Sequence, residues 1–438
     1  MKSFDDNQFQ QLVEELEQID VPSAALQQAQ RNAALEVQNQ KRLRRRWIRV
    51  AGVAALLALC FITSIRISPA FAQAVAKIPG LSVFVEMIAE DKGIEDIIKN
   101  DYATIVGASE EKDGITFSVE SVIADETGMM IAYKLTSKHN LENIFLREPK
   151  LFQNGKDLKP LISHSRSGSD EVFEVEERLE IIFTEETKLN GLDFTLNVTL
   201  ENNNETTFSI PFTLTKPIAP SKVYSINKET EVDGQKISVK ELVISPLRAE
   251  IKLAIAEGNT KRILQIGTMK VIDEKGEEWR NINEGITNMG SIESGEFSVF
   301  VQSNYFRKPE QLTLVLEKIE ALPKGEDVIV IDFDKGEIVQ QPKDVVLNVT
   351  SSSLTAQYPL SKLNHSQSLI GWELTDQNGN VIAPYQSSFV SGDNDLLEDA
   401  TYYFDPTEMS TMSQPMIAKI NSYPSFLQGE GKVVIDLE

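Results

Sequence analysis

The chain has 438 residues, a length that predicts about three folded units rather than one. Acidic residues outnumber basic ones by 66 to 43, and the net charge of −23 argues against a broad nucleic-acid-binding surface, because such a surface needs Lys and Arg to neutralise phosphates. The single cysteine, Cys60, excludes an intramolecular disulfide and a CxxC metal cluster, and the three histidines are too scattered for a zinc site. Composition therefore favours an acidic folded protein and disfavours a metalloenzyme.

The first 40 residues carry an apolar stripe at helical spacing. Its members recur at steps of three and four before Pro22, and they are Phe9, Leu12, Val13, Leu16 and Ile19. A second helical run begins at Ser23, but two short helices cannot bury their stripes completely against each other. The stripe therefore predicts a partner. Either the segment docks on a cytoplasmic protein, or it lies on the bilayer or self-associates.

A basic block followed by an uncharged apolar run is typical of a single membrane span. Residues expected to anchor the span at its two ends are Arg44, Arg45, Arg46, Trp47, Arg49 and Arg66. Val50–Ile65 carry no charge, and Trp47 extends this run toward the ~20 residues that a bilayer requires. Because basic residues stay on the cytoplasmic side, residues 1–46 are predicted inside, residues 47–67 in the cell membrane and the remainder outside. Membrane lipid is then an expected partner.

Two processing events compete with a stable anchor. Ala70-Phe71-Ala72 has the small residues that a signal peptidase reads, and cleavage after Ala72 would release the outer part. Leu57-Ala58-Leu59-Cys60 faintly resembles a lipoprotein cleavage site, but Leu59 stands where that site needs a small residue. Cys60 is therefore interpreted as a membrane-buried thiol.

The outer part begins with helical pattern and continues with strands. Residues 68–100 are predicted to form a juxtamembrane helical stalk, and period-two alternation of apolar residues starts near Thr104. The strand region repeats, since Asp113-Gly114 matches Asp233-Gly234 at an offset of 120 and Asn348-Val349-Thr350 opens a comparable run. Each repeat has a central turn, at 153–156, 273–276 and 376–379, and a predicted closing strand, at 208–214, 328–333 and 432–437.

These patterns define the predicted fold class. The ectodomain is expected to be mainly β, with about three immunoglobulin-like β-sandwich repeats at residues 101–216, 217–340 and 341–438. Short N-terminal helices and one transmembrane helix complete the prediction. Proline-containing links at 216–220 and 340–342 mark the expected boundaries.

The sequence gives no support for catalysis. It has no nucleophile elbow, P-loop, GxGxxG or HExxH, so no enzyme activity and no cofactor are predicted. Ser163-His164-Ser165 is interpreted as a solvated loop rather than a catalytic set. The run Asp393–Asp399 is an acidic turn or, alternatively, a calcium site. Trp279 and Trp372 are expected in β cores, with a carbohydrate-stacking platform as the alternative.

One segment resembles a known family. The run Ser68-Pro-Ala-Phe-Ala-Gln-Ala-Val-Ala-Lys-Ile-Pro-Gly-Leu81, directly after the predicted span, resembles the juxtamembrane motif of Gram-positive single-pass proteins with an extracellular domain of unknown function. Many members of that family look like anti-sigma factors for extracytoplasmic-function sigma factors. Ile19-Asp20-Val21-Pro22 is similar to their short sigma-binding segment, although the zinc-type His-x-x-x-Cys-x-x-Cys of better-known anti-sigma factors is missing. The two further β-repeats look like companion domains of the same family.

The resemblance implies a function that the patterns alone do not. We expect a membrane-anchored, anti-sigma-like regulator whose inner helices sequester a sigma factor and whose outer β-domains sense the envelope. The alternative is an envelope structural or adhesive protein that binds wall polymer or a partner protein. Neither expectation involves direct contact with nucleic acid.

Overall fold

The computed structural model describes residues 80–437, except 143, 165–171, 185, 202–204, 283–284, 344, 359–368 and 392–397, together with Gln10, Glu14, Val75 and Ile78. The chain divides after Pro69 into two compact parts, and the description concerns the part that begins at Ala70. The predicted apolar stripe, the span at 47–67 with its anchoring residues, and residues 393–397 of the acidic run lie outside the described residues. Glu398 and Asp399, the last residues of that run, begin the strand Glu398–Tyr403. Within the described part, no helix combines the length and the apolar character needed to cross a bilayer.

Helices are few in the described part of the chain. Helix α1 spans Phe84–Glu90, α2 spans Lys92–Lys99, a 3₁₀ turn spans Ile292–Ser294 and α3 spans Pro406–Met409. In α2, Ile94 and Ile97 recur three residues apart and are buried, which is the one-sided burial of an amphipathic helix. Helices α1 and α2 coincide with the helical pattern predicted within residues 68–100.

The first β unit consists of two antiparallel sheets that share one hydrophobic core. Its strands are β1 Thr104–Lys112, β2 Ile115–Ala124, β3 Gly128–Ser137, β4 Phe145–Gln153, β5 Lys156–Asp157, β6 Leu161–His164, β7 Glu174–Ile182, β8 Asp193–Glu201 and β9 Thr207–Thr213. The sheet orders are β1-β2-β3-β7-β6 and β5-β4-β8-β9. Alternate residues such as Phe117 and Leu196 face inward and are buried, as the period-two pattern predicts.

The second β unit repeats this arrangement with one strand taken from the end of the chain. Its strands are β10 Lys222–Val232, β11 Gln235–Ile244, β12 Ala249–Ile255, β13 Lys261–Asp273, β14 Glu278–Arg280, β15 Asn288–Gly290, β16 Glu296–Val301, β17 Gln311–Pro323 and the C-terminal strand Gly431–Asp436, named β27. The sheet orders are β10-β11-β12-β16-β15 and β14-β13-β17-β27, and the two sheets share a second core.

The third β unit lies in sequence between β17 and β27. Its strands are β18 Val328–Asp332, β19 Glu337–Gln340, β20 Val346–Val349, β21 Ser353–Tyr358, β22 Ile370–Thr375, β23 Val381–Ile382, β24 Gln386–Ser391, β25 Glu398–Tyr403 and β26 Met416–Ile420. The sheet orders are β19-β18-β26-β22-β23 and β20-β21-β25-β24. Leu264 and Leu322 of the second unit also contribute to this third core. The described part of the chain is therefore mainly β, as predicted.

Two predicted closing strands belong to other sheets than expected. Val328–Asp332 was expected to close the repeat at 217–340, but it pairs with β26 and opens the third unit. The strand near the C-terminus was expected to close the repeat at 341–438, but it pairs with Gln311–Leu316 of the second unit. The alternating pattern specifies which face of a strand is buried and does not specify its neighbour, so the pattern could not assign these strands.

The equivalence of the first two units extends further than the sequence motif. Asp113-Gly114 and Asp233-Gly234 both form two-residue hairpin turns in which both residues have positive φ. The φ angles are 54° and 73° in the first turn and 50° and 73° in the second. Both hairpins also contain an irregularity at the same offset, between Ile105 and Ala108 and between Ser225 and Lys228. The three predicted central turns likewise fall in hairpins, between β4 and β5, β13 and β14, and β22 and β23.

Candidate functional site

The helices α1 and α2 meet at Asp91, which ends one helix and caps the other. Its backbone N–H donates to the Met87 carbonyl, and its carboxylate accepts hydrogen bonds from the N–H groups of Gly93 (2.7 Å) and Ile94 (3.3 Å). Gly93 is packed so closely against the second unit that a Cβ atom there would lie 2.8 Å from the backbone nitrogen of Ser303. A glycine is therefore required at this approach.

Helix α2 is tied to the second unit by buried polar contacts. Asp96 is buried and accepts two hydrogen bonds from Arg307, at 2.6 Å to Nε and 2.9 Å to Nη2, which is the bidentate geometry that guanidinium and carboxylate favour. The ammonium of Lys92 donates to the Glu278 carbonyl at 3.0 Å. The amide of Gln302 donates to the Glu90 carbonyl at the end of α1 at 2.7 Å.

The turn before α1 is tied to the first unit. The Ser121 hydroxyl donates to the Gly80 carbonyl, and the Ser82 hydroxyl donates to the Glu176 carboxylate at 2.7 Å. Gly80 has a φ of 81°, and a Cβ atom on it would lie 2.9 Å from the Glu120 carbonyl oxygen. The helix pair is thus held by both β units at once.

The first and second units are joined directly beside the helices. Asp125 at the end of β2 is fully buried, and one of its oxygens accepts from the backbone N–H of Leu247 in the second unit at 2.7 Å. The Tyr102 hydroxyl donates to the Ala124 carbonyl at 2.7 Å and accepts from the Ala219 N–H at 3.0 Å. Burial raises the pKa of Tyr102 to about 12 and raises the pKa of Asp125. The predicted link at 216–220 is therefore packed rather than free.

A buried ion pair crosses the same boundary. Arg248 lies between β11 and β12 with 3% exposure, and its Nη1 atom is 3.3 Å from the Oε1 atom of Glu180 in β7. The Arg248 guanidinium also stacks 5.2 Å above the Phe300 ring, and Glu180 accepts from the Ile286 N–H at 3.0 Å. The Nε and Nη1 atoms of Arg248 have no hydrogen-bond partner among the described residues. We name this group the helix–sheet junction; its members are Asp91, Asp96, Asp125, Glu180, Arg248 and Arg307.

The helix–sheet junction should respond to pH through Asp91. Burial raises the pKa of Asp91 to about 6, although the two helix N–H groups and Arg248 oppose this effect. The folded state therefore binds more protons than the unfolded state between about pH 4 and pH 6, so the contribution of Asp91 to stability falls as pH rises through that range. Asp91→Asn keeps a capping side chain without the charge. It should raise the free energy of unfolding by about 1 kcal/mol above about pH 6 and should change it little below about pH 4.

Asp405→Asn is the matched control for that measurement, made by denaturant unfolding at several pH values. Asp405 caps α3 through the N–H groups of Thr407 and Glu408, and these bonds lower its pKa. Removing its charge should therefore give a small loss of stability above pH 4 rather than a gain. An Asp91→Asn variant that loses stability at pH 8 would contradict the assignment.

The residues singled out by sequence have mixed outcomes. Trp279 is buried with 0% exposure, which agrees with a core position and not with a stacking platform. The loop interpretation was wrong for Ser163 and His164, which end strand β6 and pair with β7, although His164 is exposed. The predicted partner-binding and membrane-anchoring residues lie outside the described residues, as do Ser165 and the side chain of Trp372. In the described part of the chain, no group of three or more His, Cys, Asp or Glu residues could hold a metal ion.

Sequence analysis missed all six members of the helix–sheet junction. Asp91 carried a usable signal, because an Asp before a helical apolar pattern is a common N-cap. The pairs Asp96–Arg307 and Glu180–Arg248 are separated by 211 and 68 positions. No local pattern marks partners at such separations.

Comparison with known proteins finds two family models. Residues 42–137 match the model described as Domain of unknown function (DUF4179), and residues 221–350 match Family of unknown function (DUF5643). Neither match reaches half of the chain. No curated protein matches it.

Three solved structures have partial similarity. The conserved domain protein from Bacillus anthracis is 12% identical over 77% of this chain and 92% of its own, with a TM-score of 0.36. An uncharacterized protein from Listeria monocytogenes, solved with glucose, magnesium and calcium, is 8% identical over 68% of this chain and 29% of its own, with a TM-score of 0.15. The cycloalternan-forming enzyme from Listeria monocytogenes, solved with a pentasaccharide substrate, is 8% identical over 68% of this chain and 29% of its own, with a TM-score of 0.14. At these identities and TM-scores the likenesses carry no inference about this chain.

Proposed function

We propose that the chain is a single-pass membrane regulator of the anti-sigma type. Residues 1–46 lie in the cytoplasm and hold a sigma factor, residues 47–67 span the cell membrane, and three immunoglobulin-like β-sandwich units lie outside. The basic block before an uncharged run supports the topology. The match of residues 42–137 to one family model supports treating the predicted span and the first strands as one conserved arrangement.

The observation that carries this proposal is the double anchoring of α1 and α2. Gly80 and Ser82 are bound by the first unit, while Asp96 is bound by Arg307 of the second. Residues 68–83 separate helix α1 from the end of the predicted span. A rearrangement of the first unit against the second must therefore strain or release the segment next to the membrane, because buried polar contacts are either made or left unsatisfied.

The cytoplasmic end of the proposal is tested on the apolar stripe. Leu12 and Leu16 lie in its middle, where side chains lose water most completely on docking. Each buried leucine contributes ~1.5–3 kcal/mol by area, so Leu12→Asp with Leu16→Asp should weaken binding to the sigma factor by at least ~100-fold. Binding is measured by titrating the purified sigma factor with the full-length chain, and release in cells is measured as transcription from that sigma factor's promoters.

Gln27→Asp with Gln38→Asp is the matched control, because both glutamines lie off the stripe and the added charge is the same. This control should bind normally. Membrane abundance is measured for both double variants, so that loss of protein is not mistaken for loss of binding. If the stripe variant keeps full affinity and transcription is unchanged, the anti-sigma proposal fails.

An envelope structural or adhesive role is the second candidate, and one surface favours it. One row of neighbouring residues crosses the sheet β19-β18-β26-β22-β23 on its outer face. From β18 to β23 the row consists of Val330, Ile417, Thr375 and Val381, each paired with the next. Val381 is 53% exposed and Ile417 is 38% exposed. An apolar row on an outer sheet face is a feature of surfaces that contact other proteins.

A further inference from the structure

The third unit takes the place of a turn in the second unit. The sheet order β14-β13-β17-β27 of the second unit corresponds strand for strand to the order β5-β4-β8-β9 of the first. Residues 202–206 are enough to connect β8 to β9, whereas residues 324–430, which include the whole third unit, connect β17 to β27. The third unit is therefore an insertion between two paired strands.

Side-chain contacts at the sheet edges support this correspondence. In the first unit, the ammonium of Lys112 in β1 donates to the Thr207 carbonyl in β9 at 2.8 Å. In the second unit, the ammonium of Lys228 in β10 donates to the Val434 carbonyl in β27 at 2.7 Å. Strand β27 thus occupies the position of β9. A unit inserted there is reached through two neighbouring chain connections, and it can turn about them unless other contacts fix it.

Both connections are bound on the side of the second unit. Where the chain leaves β17, the Lys324 N–H donates to the Thr260 carbonyl at 3.1 Å. Where the chain returns, the Ser422 hydroxyl donates to the buried Glu320 carboxylate at 2.8 Å. Lys324 and Ser422 are therefore the last residues that are held to the second unit at each connection.

The next residues are bound on the side of the third unit. The amide of Gln340 in β19 donates to the Gly325 carbonyl at 2.6 Å, and the Asn421 N–H donates to the Leu369 carbonyl at 2.8 Å. Gly325 has a φ of 95°, and a Cβ atom on it would meet no neighbouring atom within 4 Å. The turning points between the two units are therefore Lys324-Gly325 and Asn421-Ser422.

Arg262 in β13 crosses both turning points with one side chain. Asp327 and Ile420 are neighbours on the third-unit side, where the Ile420 N–H donates to the Asp327 carbonyl at 3.2 Å. The guanidinium of Arg262 donates from Nε to the Asp327 carboxylate at 2.6 Å and from Nη2 to the Asp327 carbonyl at 2.9 Å. Its Nη2 atom also donates to the Ile420 carbonyl. A single residue of the second unit thus holds both ends of the third.

The remaining nitrogen of Arg262 extends this contact. Its Nη1 atom donates to the Glu293 carboxylate at 3.2 Å, and Glu293 also pairs with Lys419 of β26 at 3.3 Å. The Arg262 side chain is 21% exposed and that of Asp327 is 14% exposed, so water and salt screen this pair less than a surface pair. A planar guanidinium with three bonded nitrogens also fixes direction, which a lysine ammonium does not.

Apolar contact across the same boundary is small. Among the described residues, the third core includes two side chains of the second unit, Leu264 and Leu322. Apolar contact is not directional, so it holds the two units together without setting the angle between them. The directional contacts of Arg262 can set that angle.

We propose that Arg262 is a latch that fixes the orientation of the third unit, and that its release lets this unit turn as a folded body about the two turning points. Release breaks the four hydrogen bonds that the guanidinium donates and leaves the strand pairing of both units intact. This inference concerns the β units and does not depend on sigma-factor binding.

The test is the distance distribution between two nitroxide labels in the full-length chain in detergent, measured by double electron–electron resonance. The labels are attached through Lys240→Cys in β11 and Gln377→Cys in the turn after β22, two exposed sites, in a Cys60→Ser background. Arg262→Met keeps the apolar stem and removes the donors, so it should broaden the distribution by at least about twofold. Unchanged amide hydrogen exchange in β17 and β26 shows that both units are folded.

Arg280→Met is the matched control, because Arg280 pairs with Glu278 inside the second unit at 2.7 Å. It should leave the distribution unchanged. Arg262→Lys keeps the charge without the planar fork and should also broaden the distribution. If Arg262→Met speeds exchange in β26, the lysine variant alone decides the result. An Arg262 variant that is folded and keeps the original distribution, or equal broadening in Arg280→Met, would overturn the proposal.

Discussion

Truncating Val433 and Ile435 to alanine should lower the free energy of unfolding of the second β unit by about 4 kcal/mol. Both side chains of β27 are buried in the core of that unit, where Val433 pairs with Leu314 and Ile435 pairs with Leu312. Their truncation removes apolar contacts and leaves cavities that a sheet cannot fully collapse. The expected result is faster hydrogen exchange in β17 and β13, about 110 or more residues away in sequence, at unchanged exchange in β22 and β26.

Val434→Ala is the control for this measurement, because Val434 lies between the two on the same strand but is 43% exposed. It should change the unfolding free energy by less than about 1 kcal/mol. The location of the exchange change is the decisive readout. If the double variant loosened β22 and β26 while β17 stayed protected, β27 would belong to the third unit, as the sequence pattern had predicted.

Glu180→Gln should lower the free energy of unfolding by about 3 kcal/mol, because it removes the charge of the carboxylate that forms an ion pair with the buried Arg248 guanidinium. Glutamine keeps the shape of the side chain and an oxygen for the Ile286 N–H, so the loss reports the charge. Adding Arg248→Met to this variant should recover most of the loss. Methionine can pack on Phe300, and it removes two guanidinium nitrogens that lack hydrogen bonds.

Glu205→Gln provides the comparison, because Glu205 pairs with Arg147 at a similar distance of 3.1 Å while both side chains are more than half exposed. Exposed pairs contribute less than about 1 kcal/mol, since water and salt screen them. Unfolding in denaturant measures all three variants. Equal losses for Glu180→Gln and Glu205→Gln would mean that the buried pair does not hold the first unit to the second.

Both predictions test buried contacts that connect the β units to one another. The third unit is inserted into the second through β17 and β27, and the second is joined to the first and to α1 and α2 through the helix–sheet junction. Each connection is a buried contact that is lost when either partner is removed. The proposed regulatory role requires such connections to be continuous from the β units to α1 and α2.

Local patterns in the sequence were enough to predict the mainly β character, the hairpin turns and the helical character of the segment around residues 84–99. These are local properties. Alternating apolar residues define the buried face of a strand, and Asp-Gly pairs such as Asp113-Gly114 adopt the positive φ of a two-residue turn without help from distant residues. The offset of 120 between the first two units was visible for the same reason.

Which strands are neighbours and which charges meet depends on contacts between distant parts of the chain. The strands at 328–332 and 431–436 carry the same alternating pattern as their predicted partners, so pairing was settled by the packing of whole sheets rather than by either strand. Likewise, Glu180 and Arg248 are ordinary charged residues in the sequence and become a buried pair only when two units close over them.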